Sequence, residues 1–187
     1  MTYSIEEHRH RFAGWSAARA AQRGMTGGDN KVLFAAIEAC GVRADVHPQV
    51  EWSPDAAEFD RAHVEWCRRI VVSLREGNLT HDNATFGRAA KLVAVYLKSM
   101  VVLAGRHETP LGRVLHPPID SILLRALAED VATFREGSRQ LWRRTRWTKL
   151  DEAGYAEIIQ SLRAEGLDDP FWEMERHWTI SGTSGPA

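Results

Sequence analysis

Two side chains in this sequence have both the chemistry and the setting to act on a covalent bond. Lys91 sits in the most apolar run of the chain, from Phe86 to Leu103, among Leu92, Val93, Val95, Tyr96 and Leu97. A lysine drawn into low dielectric loses part of its preference for the ammonium form. The neutral amine is a nucleophile that can attack a sugar C1′ and form a Schiff base. The plainer role for the same residue is a packed stem that carries its ammonium to solvent. Asp120 follows His116-Pro117-Pro118-Ile119 and precedes an apolar helical pattern, which is the position of a helix N-cap. A capping carboxylate is a structural device. It also stays ionised and fixed, so it can support a developing oxocarbenium ion or activate a nucleophile.

Other chemistry-bearing residues are more dispersed. His8 and His10 lie two apart, and His63 and Cys67 lie four apart on one helical face. Neither pair supplies three or four ligands at a metal spacing, so no metal is expected. The chain has seven tryptophans. Trp15 with Arg19, four apart, and Trp147 beside a run of cations could each present a ring to an extruded base, although tryptophans of this kind also serve as packing residues. Arg139, Arg143, Arg144, Arg146 and Lys149 cluster around Trp142 and Trp147. They form a local basic patch, or else an ordinary solvated face.

Helical periodicity accounts for the elements that must hold these groups. A first helix is predicted over Ser4–Arg23 with Phe12, Trp15, Ala18 and Arg19 as its stripe, ended by Met25-Thr26-Gly27-Gly28. Asp29 or Asn30 caps a second helix to about Ala39. Residues 41–54 read as irregular, and Ser53 caps a helix from Pro54 to about Glu76 with Phe59, His63, Trp66, Ile70 and Leu74 on one face. The helix Phe86–Leu103 is apolar nearly all round, as a central buried helix is. A proline-containing connection, 104–118, leads to a helix opened by Asp120. Further helices are predicted over about 131–144, over 152–164 after Asp151, and after Pro170. No segment alternates with period two, so no sheet is expected.

The segment Phe86-Gly-Arg-Ala-Ala-Lys-Leu-Val-Ala-Val-Tyr-Leu97, followed by Leu115-His-Pro-Pro-Ile-Asp-Ser-Ile-Leu-Leu124, resembles the core of the helix-hairpin-helix DNA glycosylases. In that superfamily a glycine-containing hairpin leads into a helix with the catalytic lysine, and a later helix opens on the catalytic aspartate. The resemblance implies that Lys91 is the Schiff-base nucleophile and Asp120 the essential carboxylate. The interval between them is longer than in endonuclease III-like members and closer to that of archaeal 8-oxoguanine glycosylases. The family hairpin reads Gly-hydrophobic-Gly and holds a DNA phosphate on its amides, whereas this sequence has Gly87 alone. The resemblance implies nucleic-acid contacts at Thr85, Gly87 and Arg88; the local basic patch adds Arg143, Arg144 and Lys149, and the aromatic spacing offers a base pocket around Trp15, Arg19 and Trp147. The chain is also similar, over most of its length, to a group of bacterial proteins of uncharacterised activity. These share a Lys91–Lys98 helix, a Pro117–Asp120 turn and a Trp147–Lys149 element.

Composition bounds what remains. A chain of 187 residues fits one domain, read here as 1–180 with a frayed tail over 181–187. With 44% hydrophobic and 26% charged residues it has the balance of a globular protein. The net charge of −1 gives no global attraction to nucleic acid, so binding there must rest on local charge. Two cysteines make no disulfide framework and no four-cysteine iron–sulfur loop, so no cofactor is expected. No apolar stretch is long enough to span a membrane and Met1–Arg11 lacks a signal core; a cytoplasmic location is expected. The sequence thus reads as an all-α, single-domain orthogonal helical bundle that excises a modified base such as 8-oxoguanine from DNA, with or without lyase activity. The rival readings are a non-catalytic nucleic-acid- or protein-binding module of the same fold, and a small defence protein acting on a nucleotide.

Overall fold

The computed structural model describes residues 3–25 and 29–178; the tail expected over 181–187 lies outside them. The described residues are helical, with no strand among them. The order is α1 (Ile5–Ala21), α2 (Asn30–Cys40), a short α3 (Val42–Asp45), α4 (Ala56–Glu76) and α5 (Phe86–Leu97). There follow α6 (Pro110–Val114), α7 (Ser121–Glu129), α8 (Glu136–Arg144) and α9 (Glu152–Ala164). No helix among these is long and apolar enough to cross a membrane.

Most helix starts follow the side chain that can accept from the free amides of the first turn. Ser4, Asp29, Thr85, Asp120 and Asp151 each cap in this way. The start of α4 differs from the sequence expectation. Asp55, not Ser53, is the cap, because Glu58 three residues on closes a reciprocal capping box with it and Pro54 is left outside the helix. Helix α8 also starts later than expected, at Glu136. The Asp130 carboxylate accepts from the Thr133 amide and holds residues 130–134 in a turn. Residues 98–106, expected to continue α5 and then loop out, form π-helical turns ended by Gly105 at φ +80°.

Helix α5 is the centre. All of its residues except Val95 are buried. Helix α1 runs antiparallel to it: His10 near its start bonds Tyr96, and Arg88 donates to the carbonyls of Ala21 and Arg23 at its end. The expected stripe of α1 is corrected here. Its buried face is His10, Ala13, Gly14, Ala17, Ala18 and Ala21, while Phe12, Trp15 and Arg19 point outward. The reason is the close approach of neighbouring helices: a Cβ on Gly14 would lie 2.2 Å from the Phe34 ring. Only small side chains fit there, so the large ones are displaced to the other face. Helix α4 packs on α2 and α5 through Phe59, His63, Trp66, Cys67, Ile70 and Leu74, the stripe its periodicity predicts.

Candidate functional site

Lys91 projects from α5 into a cleft of about 460 Å³ bounded by α1, the π-helical turns, the Pro118–Ile122 corner and Trp147. Its amine donates to Oδ2 of Asp120 at 2.8 Å and to the carbonyl of Pro118 at 3.3 Å. The lysine side chain is 6% exposed and the aspartate 13%. Asp120 is fixed from three directions. Its Oδ1 accepts from the amides of Ile122 and Leu123, both at 2.9 Å, and its Oδ2 accepts from Lys91 and from the Trp178 indole at 3.2 Å. One residue thus caps α7 and holds the amine.

Burial lowers the proton affinity of Lys91, and the Asp120 charge only partly restores it, so its pKa lies below the usual lysine range. Burial alone would raise the Asp120 carboxyl. The Lys91 ammonium and the hydrogen bonds to the carboxylate outweigh that, and it lies below its ordinary value. The resting pair is ammonium and carboxylate in contact. Transfer of one proton along the 2.8 Å hydrogen bond would leave a neutral amine in the cleft.

Trp147 is brought to the site by the N-terminal turn of α5. The Gly87 amide donates to the Leu150 carbonyl at 3.0 Å, and the Thr85 hydroxyl donates to the Thr148 carbonyl at 3.0 Å. A Cβ on Gly87 would stand 1.9 Å from the Trp147 carbonyl oxygen, so only glycine allows this contact. The buried indole then lies 5.8 Å from the Lys91 amine and 5.8 Å from the Arg88 guanidinium. These contacts correct the expectation for Thr85, Gly87 and Arg88. The amide expected to hold a phosphate is engaged by Leu150, Thr85 ties down the Trp147 turn, and Arg88 is buried with its charge on the end of α1.

Of the remaining sequence candidates, Arg19 and Trp147 line the cleft and Trp15 does not; it stands outside it, 55% exposed. Arg143 and Arg144 are exposed on α8, away from Lys91, and Arg143 donates to the Ala128 carbonyl. Lys149 pairs with Asp82 at 2.7 Å. The structure adds Arg23, Lys98, Glu175 and Trp178 to the cleft, with Lys98 and Glu175 in an ion pair. No local pattern marks these four: Glu175 and Trp178 arrive with the return of residues 171–178, and Arg23 arrives through the packing of α1 on α5 beside Lys98.

The corner that carries Asp120 is anchored from behind. His116 bonds Asp60 through Nε2 at 2.8 Å and meets the Tyr155 hydroxyl at 3.3 Å through Nδ1. Arg163 makes two bonds to the same Asp60, at 2.6 and 2.8 Å. Beside them His63 stacks on Tyr155 at 5.2 Å, lies 4.5 Å from the His116 ring, and has the Cys67 sulfur, at 3.7 Å, as its one hydrogen-bonding neighbour among the described residues. Burial holds both histidines below their ordinary value, so they are neutral near pH 7. No group of three metal-ligating side chains occurs among the described residues. No family model, curated protein or solved structure matches this chain.

Proposed function

We propose that the protein cleaves the N-glycosidic bond of a modified nucleotide in DNA through a Schiff base on Lys91, in the manner of a helix-hairpin-helix glycosylase. One observation carries the reading: a buried amine 2.8 Å from a fixed carboxylate, both on one cleft with room for a nucleotide. Asp120 takes a proton from the Lys91 ammonium. The free amine attacks C1′, the glycosidic bond breaks, and the departing base receives the proton held by Asp120. A second amine proton passes to O4′ as the sugar ring opens, which leaves a protonated imine between Lys91 and C1′. The ionised carboxylate supports positive charge on the sugar before the new bond is complete.

The test is borohydride trapping on a panel of lesion-bearing oligonucleotides, 8-oxoguanine first. A covalent protein–DNA adduct that forms with the native protein and not with Lys91→Gln supports the reading. Absence of an adduct and of base release on every lesion removes it. A monofunctional enzyme, using water with Asp120, would release base without an adduct. A second reading is favoured by the full saturation of Asp120, whose two oxygens accept from four donors. It makes the pair a structural strut in a binding module, and it expects folded protein that binds without releasing any base.

A further inference from the structure

We infer that the outward face of α1 and the turn that follows it, from Phe12 to Arg23, are the track on which an unpaired nucleic-acid strand lies while one of its nucleotides occupies the Lys91 cleft. The inference builds on the reading of that cleft as a nucleotide site. Phe12 and Trp15 are each 55% exposed, with ring centroids 6.1 Å apart. Arg19 follows Trp15 by four residues on the same helical face, and Arg23 stands exposed in the turn just past the end of α1. From Phe12 to Arg19 the face is roughly 10 Å long at the rise of an α-helix, and Arg23 extends it beyond the helix end. Large aromatics on a helix whose inner face is alanine leave an apolar surface with nothing packed on it, and such surfaces mark binding sites.

Charge selects the partner. The cleft brings together four cations, Arg19, Arg23, Lys91 and Lys98, and two carboxylates, Asp120 and Glu175. The carboxylates are paired with Lys91 and Lys98. Arg19 and Arg23 have no carboxylate partner among the described residues, so a surplus of two positive charges stands on a chain of net charge −1. Cations beside unpaired aromatic faces suit alternating phosphates and bases. The cleft itself accommodates a single nucleotide, but Trp15 stands outside it. A free nucleotide would leave Trp15 unused, whereas a strand covers both. The rings also need bases whose faces are open, and in a duplex interior those faces are stacked on one another. In the basic cluster around α8, Arg139 pairs with Glu136 and Lys149 with Asp82, and the cations that stay without a carboxylate partner among the described residues, Arg143, Arg144 and Arg146, have no exposed ring stacked beside them.

The experiment measures binding of the full chain to labelled oligothymidylate, and to a duplex of equal length, by fluorescence anisotropy across a salt series. The single strand is expected to bind at least tenfold more tightly than the duplex. Trp15→Ala should weaken the strand complex by roughly 5- to 100-fold, the loss of one stacked base. Arg19→Glu with Arg23→Glu should flatten the dependence of log K on log salt by roughly 1.4, two contacts at about 0.7 each. Arg61→Glu with Arg75→Glu, an equal charge change on the exposed side of α4, should leave binding unaltered. Equal or tighter duplex binding, or binding that falls with Arg143→Glu and Arg144→Glu but not with the α1 variants, overturns the inference. Strand binding that follows the α1 variants while no lesion is excised upholds it and removes the Schiff-base reading. Excision that is confined to duplex and indifferent to the α1 variants upholds the chemistry and overturns the track.

Discussion

The indole of Trp178 donates to Oδ2 of Asp120 at 3.2 Å, on the same oxygen that holds the Lys91 amine at 2.8 Å. The residue at the mouth of the cleft therefore helps set the ionisation of the group at its floor. Asp120 lies below its ordinary value of 3.8, so its contribution to stability is present above that pH and is lost as pH falls through the folded value. Trp178→Phe keeps the ring and removes the donor. The folded value then rises toward 3.8, and the acid unfolding transition should move to higher pH by up to about half a unit, one ordinary hydrogen bond. Circular dichroism against pH checks this; an unmoved transition would mean that the indole bond contributes nothing.

The two members of the buried pair should respond unequally to replacement. Asp120→Asn removes the cap charge and leaves an ammonium buried, with an expected cost of about 3 kcal/mol. Lys91→Met leaves a carboxylate that still accepts from two amides and an indole, with an expected cost of about 1 kcal/mol. Urea midpoints of the two variants measure the difference. If the proposed chemistry holds, both should lose base release by orders of magnitude despite their different stabilities.

Gly87 and Gly137 give a paired test of the packing. Alanine at 87 would drive a Cβ to 1.9 Å from the Trp147 carbonyl, and the Trp147–Leu150 turn would have to move. A loss of about 2–4 kcal/mol is expected, together with a change in Trp147 fluorescence. Gly137 is helical in α8, and a Cβ there meets nothing within 4 Å. Gly137→Ala should therefore raise stability by about 0.5–1 kcal/mol. Thermal unfolding of both variants is the measurement, and opposite signs are the expected result.

His63 and His116 make the fold sensitive to mild acid. Burial holds both below their ordinary value of 6.5. Their contribution is complete above 6.5 and is lost as pH falls toward the folded values, because the unfolded chain binds protons that the folded one does not. Stability should decline below pH 6.5 by up to about 1.4 kcal/mol per pH unit for each such histidine. His63 hydrogen-bonds only the Cys67 sulfur and otherwise packs on rings, His116 among them at 4.5 Å, so His63→Phe keeps an aromatic ring there and should flatten that slope without breaking the Asp60–His116 hydrogen bond. Urea titrations at pH 7, 6 and 5 compare the slopes.

The helical class was legible because amphipathic stripes and capping residues act over a few positions. Phe59, His63, Trp66, Ile70 and Leu74 fall inside as their spacing implies, and Asp120 caps where its neighbours place it. The convergence of Lys91 and Asp120 is consistent with the order of motifs in the chain, although no local rule fixes their 2.8 Å approach. Periodicity puts Phe12 and Trp15 on the stripe of α1 because it weights size, whereas the approach of α1 to its neighbours selects small side chains and turns the rings outward. Gly87 was read as a phosphate turn because a glycine before a helix serves both purposes. Only the fold shows Trp147 lying against it. The Asp60–Arg163 contact joins residues 103 apart, and Trp178 reaches Asp120 from 58 residues away. Pairings of that range leave no periodic trace.

The alanine face of α1 has a consequence for the chain during its synthesis. Helix α1 emerges before its partner α5, which is complete only when residues up to Leu97 have been made. Through that interval the face of Ala13, Ala17, Ala18 and Ala21 is without the surface it will cover. An alanine methyl offers little apolar area, so at about 25 cal/mol per Å² a stripe of alanines adheres weakly to other nascent chains. A leucine stripe would hold α5 through larger side chains but would also be a stickier surface while waiting. The small residues that let two helices approach closely in the finished protein therefore also make its first helix a poor seed for aggregation.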